Sequence, residues 1–196
     1  MKRLIDALFV VLGVFVALFV VAGLIVGCSD KPELNIQETI TVFVDYNRPI
    51  AAGIAAGQYA QSNTDVNDHN FPSPDSGEAR LEIILAHPNQ SMTTTDVLTT
   101  LEKMGLRAAT LQELLAVGER IPGTQYQNQI IALGSIWSHD GVMGVPYLGN
   151  YSRVALGPSS CRILDIVSLR QRWSDLSWID REWQRDVIFA AVAVKK

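Results

Sequence analysis

Residues 7–27 form an unbroken run of 21 residues with no charged and no strongly polar side chain. As a helix this run would be about 32 Å long at 1.5 Å per residue. That length matches the roughly 30 Å hydrocarbon core of a bilayer. Lys2 and Arg3 precede it, so the N-terminus is expected to stay cytoplasmic and the rest of the chain to lie across the membrane. Residues 1–28 are therefore read as a membrane segment, 29–39 as a polar tether and 40–196 as one extracytoplasmic domain.

The apolar run stops abruptly at Ile25-Val26-Gly27-Cys28, and Ser29-Asp30-Lys31-Pro32 follow. This boundary resembles the lipobox of bacterial lipoproteins. The resemblance implies that residues 1–27 are a signal peptide and that Cys28 is the lipid attachment site. Against it, a cleaved signal has an apolar stretch of about 7–15 residues, and this one is longer. A retained transmembrane helix is the competing reading. Both give a membrane anchor and a domain in the cell envelope.

Lys2, Arg3 and Asp6 fall in the anchor, which leaves 14 of the 16 basic and 19 of the 20 acidic residues to the rest of the chain. A net charge near −5 gives no basic footprint, so no nucleic-acid partner is expected. The chain beyond the anchor is long enough for one domain with a continuous core. Cys28 and Cys161 are the two cysteines, too few for a disulfide framework. Cys161 reads as a small apolar residue.

The β-branched and aromatic stretch 40–46 predicts a strand, and the Ala-rich stretch 50–59 a short helix. Residues 60–78 are dominated by turn formers and contain Pro72 and Pro74, so they read as a long loop, a feature often tied to function. A strand is expected at 79–87 and a helix at 93–104. A second helix is expected at 106–118, opened by a capping box in which Thr110 and Glu113 satisfy each other's backbone N–H groups. That structural role suffices for Glu113. Further strands are expected at 130–137, 142–148, 153–156, 162–167 and 187–194, with a turn at Ser138-His139-Asp140-Gly141. The order predicts an α+β domain with a mainly antiparallel sheet and two to three short helices.

The chemistry-bearing motifs are sparse. His69, His87 and His139 make no metal-ligand spacing, and neither a nucleophile elbow nor a complete dinucleotide fingerprint is present. No catalytic residue, metal or cofactor is assigned. Asp65, Asn67, Asp68 and His69 form an oxygen-rich cluster in the long loop. Such clusters are usually turns and sometimes cation ligands. Trp173, Trp178 and Trp183 recur every five residues among charges of alternating sign. That spacing fits no single helix or strand face, and such aromatics can anchor a protein or a sugar. These seven residues are the candidate binding set.

Two resemblances follow from quoted stretches. LRAATLQELLAVGER, then IIALGSIW, then a last strand ending in Val-Lys-Lys resembles a recurring uncharacterised bacterial family of membrane-anchored or lipoprotein type. That family implies no activity. More distantly, Leu106-Arg107-Ala108-Ala109-Thr110-Leu111-Gln112-Glu113-Leu114-Leu115, Gly134-Ser135-Ile136-Trp137 and the closing strand are similar to C-type-lectin-like domains of the sulfatase-modifying and adhesin type. Ala109 stands where those domains have Pro, and the last strand lacks their Cys and Arg. The paired cysteines and calcium motifs of the family are missing as well, so neither its oxidase chemistry nor its calcium-dependent sugar binding carries over.

The expectation is a membrane-tethered binding or interaction module with a protein or glycan partner. Its face would combine the 60–78 loop with the Trp-rich 171–186 segment. An accessory subunit of a cell-envelope complex is the alternative. A hydrolase using His69 or His87 is the second alternative and requires one of them to meet a carboxylate in a pocket.

Overall fold

The computed structural model describes residues 31–124, 127–152, 160–174 and 177–194, with side chains omitted at 151, 152, 160, 170–174 and 177–179. The chain divides into units 1–31 and 32–196. The anchor with Cys28, residues 29–30 and the strand expected at 153–156 lie outside the described residues. Among the described residues, no helix is long and apolar enough to cross a membrane.

Among the described residues the domain is α+β, with a mixed sheet and three short helices. Its strands are β1 (Leu34–Asp45), β2 (Gln61–Ser62), β3 (Glu78–Pro88), β4 (Met92–Thr93), β5 (Leu106–Ala108), β6 (Gln129–Ile131), β7 (Trp137–His139), β8 (Val142–Ser152), β9 (Ser160–Ser168), β10 (Arg170–Ser174), β11 (Ser177–Asp180), β12 (Glu182–Trp183) and β13 (Val187–Ala193). Its helices are α1 (Ile50–Gly57), α2 (Thr94–Lys103) and α3 (Leu111–Arg120). The main sheet has the order β1-β3-β13-β6-β8-β9-β2, with β5 also on β13 and β7 also on β8. Most pairings are antiparallel, but β13 with β6 and β2 with β9 are parallel.

β13 explains the layering. Its sequence, VIFAAVA, is apolar throughout because both its faces are covered. Ile188, Ala190 and Val192 join one core with Val42, Val44, Ile83 and residues of α1 and α3. Val187, Phe189 and Ala191 join a second core with Val97, Leu101 and Trp183 on the other side. Each fully buried aliphatic side chain here contributes about 1.5–3 kcal/mol.

Four expectations need correction. The stretch 106–118 is not one helix: Leu106–Ala108 form β5 on β13, and α3 begins at Leu111, after its Thr110 cap. β1 begins at Leu34, so residues 34–39 belong to the sheet and not to the tether. The strand is hidden in the sequence because it lies at the sheet edge and its register shifts between Ile36 and Glu38, which breaks the alternation. The stretch 130–137 is two strands. Between them Gly134 N–H donates to the Ala109 carbonyl at 2.9 Å, and a Cβ on Gly134 would come within 2.6 Å of the Ala108 and Ala109 oxygens. Residues 170–183, expected to lie between strands, form the β10–β11 hairpin and β12, which pairs with β4. The turn at Asp140-Gly141 is found as expected: both residues have positive φ, 48° and 77°, as a two-residue hairpin of this hand requires.

α3 carries the expected capping box, and its environment extends well beyond a cap. Glu113 is 0 % exposed. It accepts hydrogen bonds from Tyr46 Oη at 2.6 Å, from the Thr110 N–H at 2.7 Å and from both Arg107 Nη atoms at 2.6 and 2.9 Å. Burial pushes its carboxyl up, but the bonds from Arg107, Tyr46 and Thr110 outweigh this and hold it below its ordinary value. The far ends of α1 and α3 meet at buried Arg162, which donates to the Gly57 and Gly118 carbonyls and lies 4.9 Å from the Tyr59 ring centroid. A cation at two helix C-termini complements both dipoles. Burial pushes the Tyr59 hydroxyl up to about 12.

Candidate functional site

The parallel pairing of β6 with β13 creates the clearest cleft. Gln129 lies beside Val187 at the start of both strands. The chain segments leading into them must therefore arrive at the same end of the sheet. Asn150, two residues beyond Leu148, is carried to that end because β8 runs antiparallel to β6 and pairs Leu148 with Ile130. The result is an open cleft of about 310 Å³ lined by Gln127–Gln129, Asn150, Arg181–Gln184, Asp186 and Val187.

Packing fixes its floor. Trp183 is 2 % exposed and belongs to the second core. It meets Phe189 edge-on at 5.7 Å and donates Nε1–H to Thr94 Oγ1 at 3.0 Å. Backbone bonds from Arg181 N–H to the Leu169 carbonyl (2.9 Å) and from Thr94 N–H to the Arg181 carbonyl (3.2 Å) hold the segment on either side. Asn128, oriented so that both ends of its amide are satisfied, donates to the Asp186 carbonyl at 3.0 Å.

Arg181 is the cation of this cleft. Its guanidinium carbon lies 4.9 Å from the Trp183 ring centroid. Nη1 donates to the Ser168 carbonyl at 3.3 Å, and Nε is buried without a hydrogen-bond partner. Among the described residues no carboxylate pairs with it, and burial lowers its pKa. Gln127 and Gln129 are exposed at the rim.

The residues singled out in the sequence fall elsewhere, with one exception. The 60–78 loop is held by its own polar groups. Asn67 Oδ1 accepts from the His69 and Asn70 N–H groups at 3.1 and 3.0 Å, and its Nδ2 donates to the Thr64 carbonyl at 2.9 Å. The Asp65 carbonyl accepts from Asn70 Nδ2 at 2.9 Å. Asp68 Oδ1 accepts from the Ile50 N–H at 3.0 Å and so caps α1, whose N-cap position, Pro49, supplies no side-chain bond. His69 has an exposed side chain. Among the described residues, no three His, Cys, Asp or Glu side chains are placed to hold a metal ion.

Trp183 lines the cleft but cannot present its ring, because the core and Arg181 cover it. Its place in the candidate binding set is corrected accordingly. Trp173 and Trp178 lie on β10 and β11, and their side chains are outside the described ones. The expected common face also divides. The loop's buried anchors Val66 and Phe71 pack in the first core and Trp183 in the second. Neither His69 nor His87 lines the cleft. Sequence reasoning missed Gln127, Asn128, Gln129, Asn150 and Arg181. The one available signal was the run of amides at Gln127-Asn128-Gln129 directly before a strand.

No known protein family, no characterised protein and no solved structure matches this chain.

Proposed function

We propose that the chain is a membrane-tethered, extracytoplasmic binding module whose recognition surface is the cleft at the shared start of β6 and β13. The observation that carries this reading is Arg181. A guanidinium with a buried, unpartnered Nε lines an open cleft beside exposed amide side chains. Nε is closed off from solvent, so a ligand would meet Arg181 through its Nη donors, and the reading rests on a cation lining the cleft with no carboxylate partner among the described residues. The anchor reading rests on the 21-residue apolar run after Lys2 and Arg3. The membrane-anchored bacterial family resemblance and the C-type-lectin-like one belong to the same proposal. Both rest on the opening of α3 and on Gly134-Ser135. The Ser135 hydroxyl accepts from the Leu111 N–H at 2.9 Å, so these motifs form one structural unit.

The test is an array of glycans and peptides probed with detergent-solubilised full-length protein, with an Arg181→Gln, Gln129→Ala double variant beside it. The reading expects a reproducible set of signals that the double variant loses. Signals that survive unchanged in a folded double variant would place recognition somewhere else.

A further inference from the structure

Resting on the binding-module reading, we infer that the cleft takes a carboxylate-bearing sugar, with Arg181 on the carboxylate and Gln127 and Gln129 on the hydroxyls. Arg181 supplies the first half of the argument. One Nη donates to a backbone carbonyl and one ring face supports the group. The guanidinium is partly desolvated and lacks a carboxylate partner among the described residues. A planar guanidinium recognises a planar carboxylate through paired N–H donors.

The neighbours decide which anion fits. Glu182 and Asp186 line the same cleft. Two carboxylates beside one guanidinium disfavour a doubly charged phosphate or a polyanion, but still allow one singly charged group seated on Arg181. The rim favours a sugar over a peptide. Each exposed Gln offers one carbonyl oxygen and two N–H donors, which match adjacent hydroxyls. The apolar lining residues, Trp183 and Val187, are both buried and offer no pocket for a peptide side chain. A volume of about 310 Å³ sits at the small end of ligand sites and suits one or two sugar rings.

The experiment is calorimetric titration of the full-length protein in detergent with the methyl glycoside of galacturonic acid, with its methyl ester and with the peptide N-acetyl-Ala-Ala-Glu-amide, each acid carrying a single carboxylate. Esterification removes the charge, caps one carboxylate oxygen with a methyl group and leaves the hydroxyls unchanged, and it is expected to weaken binding at least tenfold. Arg181→Gln should weaken the acid about tenfold and leave the ester within twofold. Arg181→Lys, which keeps the charge but loses the paired N–H fork, should weaken the acid by less than the Gln variant and leave the ester within twofold, and this covers the case in which the Gln variant misfolds. Gln129→Ala should weaken acid and ester by similar factors. Equal binding of acid and ester, or an unchanged affinity in folded Arg181→Gln, overturns the carboxylate while leaving a binding cleft in place. Arg181-dependent binding of the peptide alone overturns the sugar. Binding of none of the three overturns this inference, and the array then decides separately on the binding module.

Discussion

The 60–78 loop and the segment around 181–187 are both polar connections, yet they use their polar groups in opposite ways. In the loop, Asn67, Asp68 and Asn70 direct their side chains at backbone groups within the loop or at the first N–H of α1. Two apolar residues, Val66 and Phe71, pin it to the first core. Around the cleft, Trp183 and Val187 provide the anchoring, while Gln127 and Gln129 are exposed at the rim and Arg181 has no carboxylate partner among the described residues. A long polar loop therefore need not be a binding surface. What distinguishes a recognition element is polar capacity that the fold does not consume.

The largest expected effect comes from the most heavily engaged polar group. Glu113→Ala removes a buried carboxylate that satisfies Arg107, Tyr46 and the Thr110 N–H. Arg107 is 39 % exposed and regains water, so the loss comes mainly from the buried Tyr46 hydroxyl and Thr110 N–H left without an acceptor, about 1–3 kcal/mol for each, readable as a lower urea midpoint. A loss below about 1 kcal/mol would mean that burial and engagement do not measure structural importance here.

The same carboxylate predicts an acid limb. Its folded pKa lies below the ordinary 4.5, so the stability it contributes is fully present above that value. It is lost as pH falls through the lower folded value. Urea midpoints taken from pH 7 downward should fall more steeply below pH 4.5 in the wild type than in Glu113→Gln. Parallel curves would assign the acid limb to other groups.

Asp68 is a smaller case. Its carboxylate accepts from the Ile50 N–H in place of a cap on Pro49. Asp68→Ala should cost about 1 kcal/mol, the usual loss for a helix N-cap. Asp68→Asn, which keeps an acceptor, should recover most of it. If the two variants behaved alike, the cap would not be what this residue contributes.

Much of the architecture was legible because it follows from local chemistry. The Thr110–Glu113 box, the Asp140-Gly141 turn and the apolar run of β13 each announce one conformation. The box at Thr93–Asp96 that opens α2 follows the same rule with Asp in place of Glu. β1 was read short because an edge strand has no need of strict alternation where its register shifts. The site was nearly illegible because parallel pairing builds it. Gln129 and Val187 are far apart in sequence, and nothing local signals that their strands start side by side. Trp183 was misread for a related reason. Five-residue spacing excludes a shared face, but it does not reveal that β12 turns the Trp183 ring into the core.

The contrast between the two regions is tested most directly by equilibrium urea unfolding of Asn67→Ala and Gln129→Ala, measured side by side. Asn67 engages three backbone groups, and its loss should cost about 1 kcal/mol or more at net values near 1 kcal/mol per hydrogen bond. Gln129 is exposed at the cleft rim, and its variant should stay within about 0.5 kcal/mol of the wild type. Equal losses, or a larger one for Gln129, would contradict the division between engaged and available polar groups.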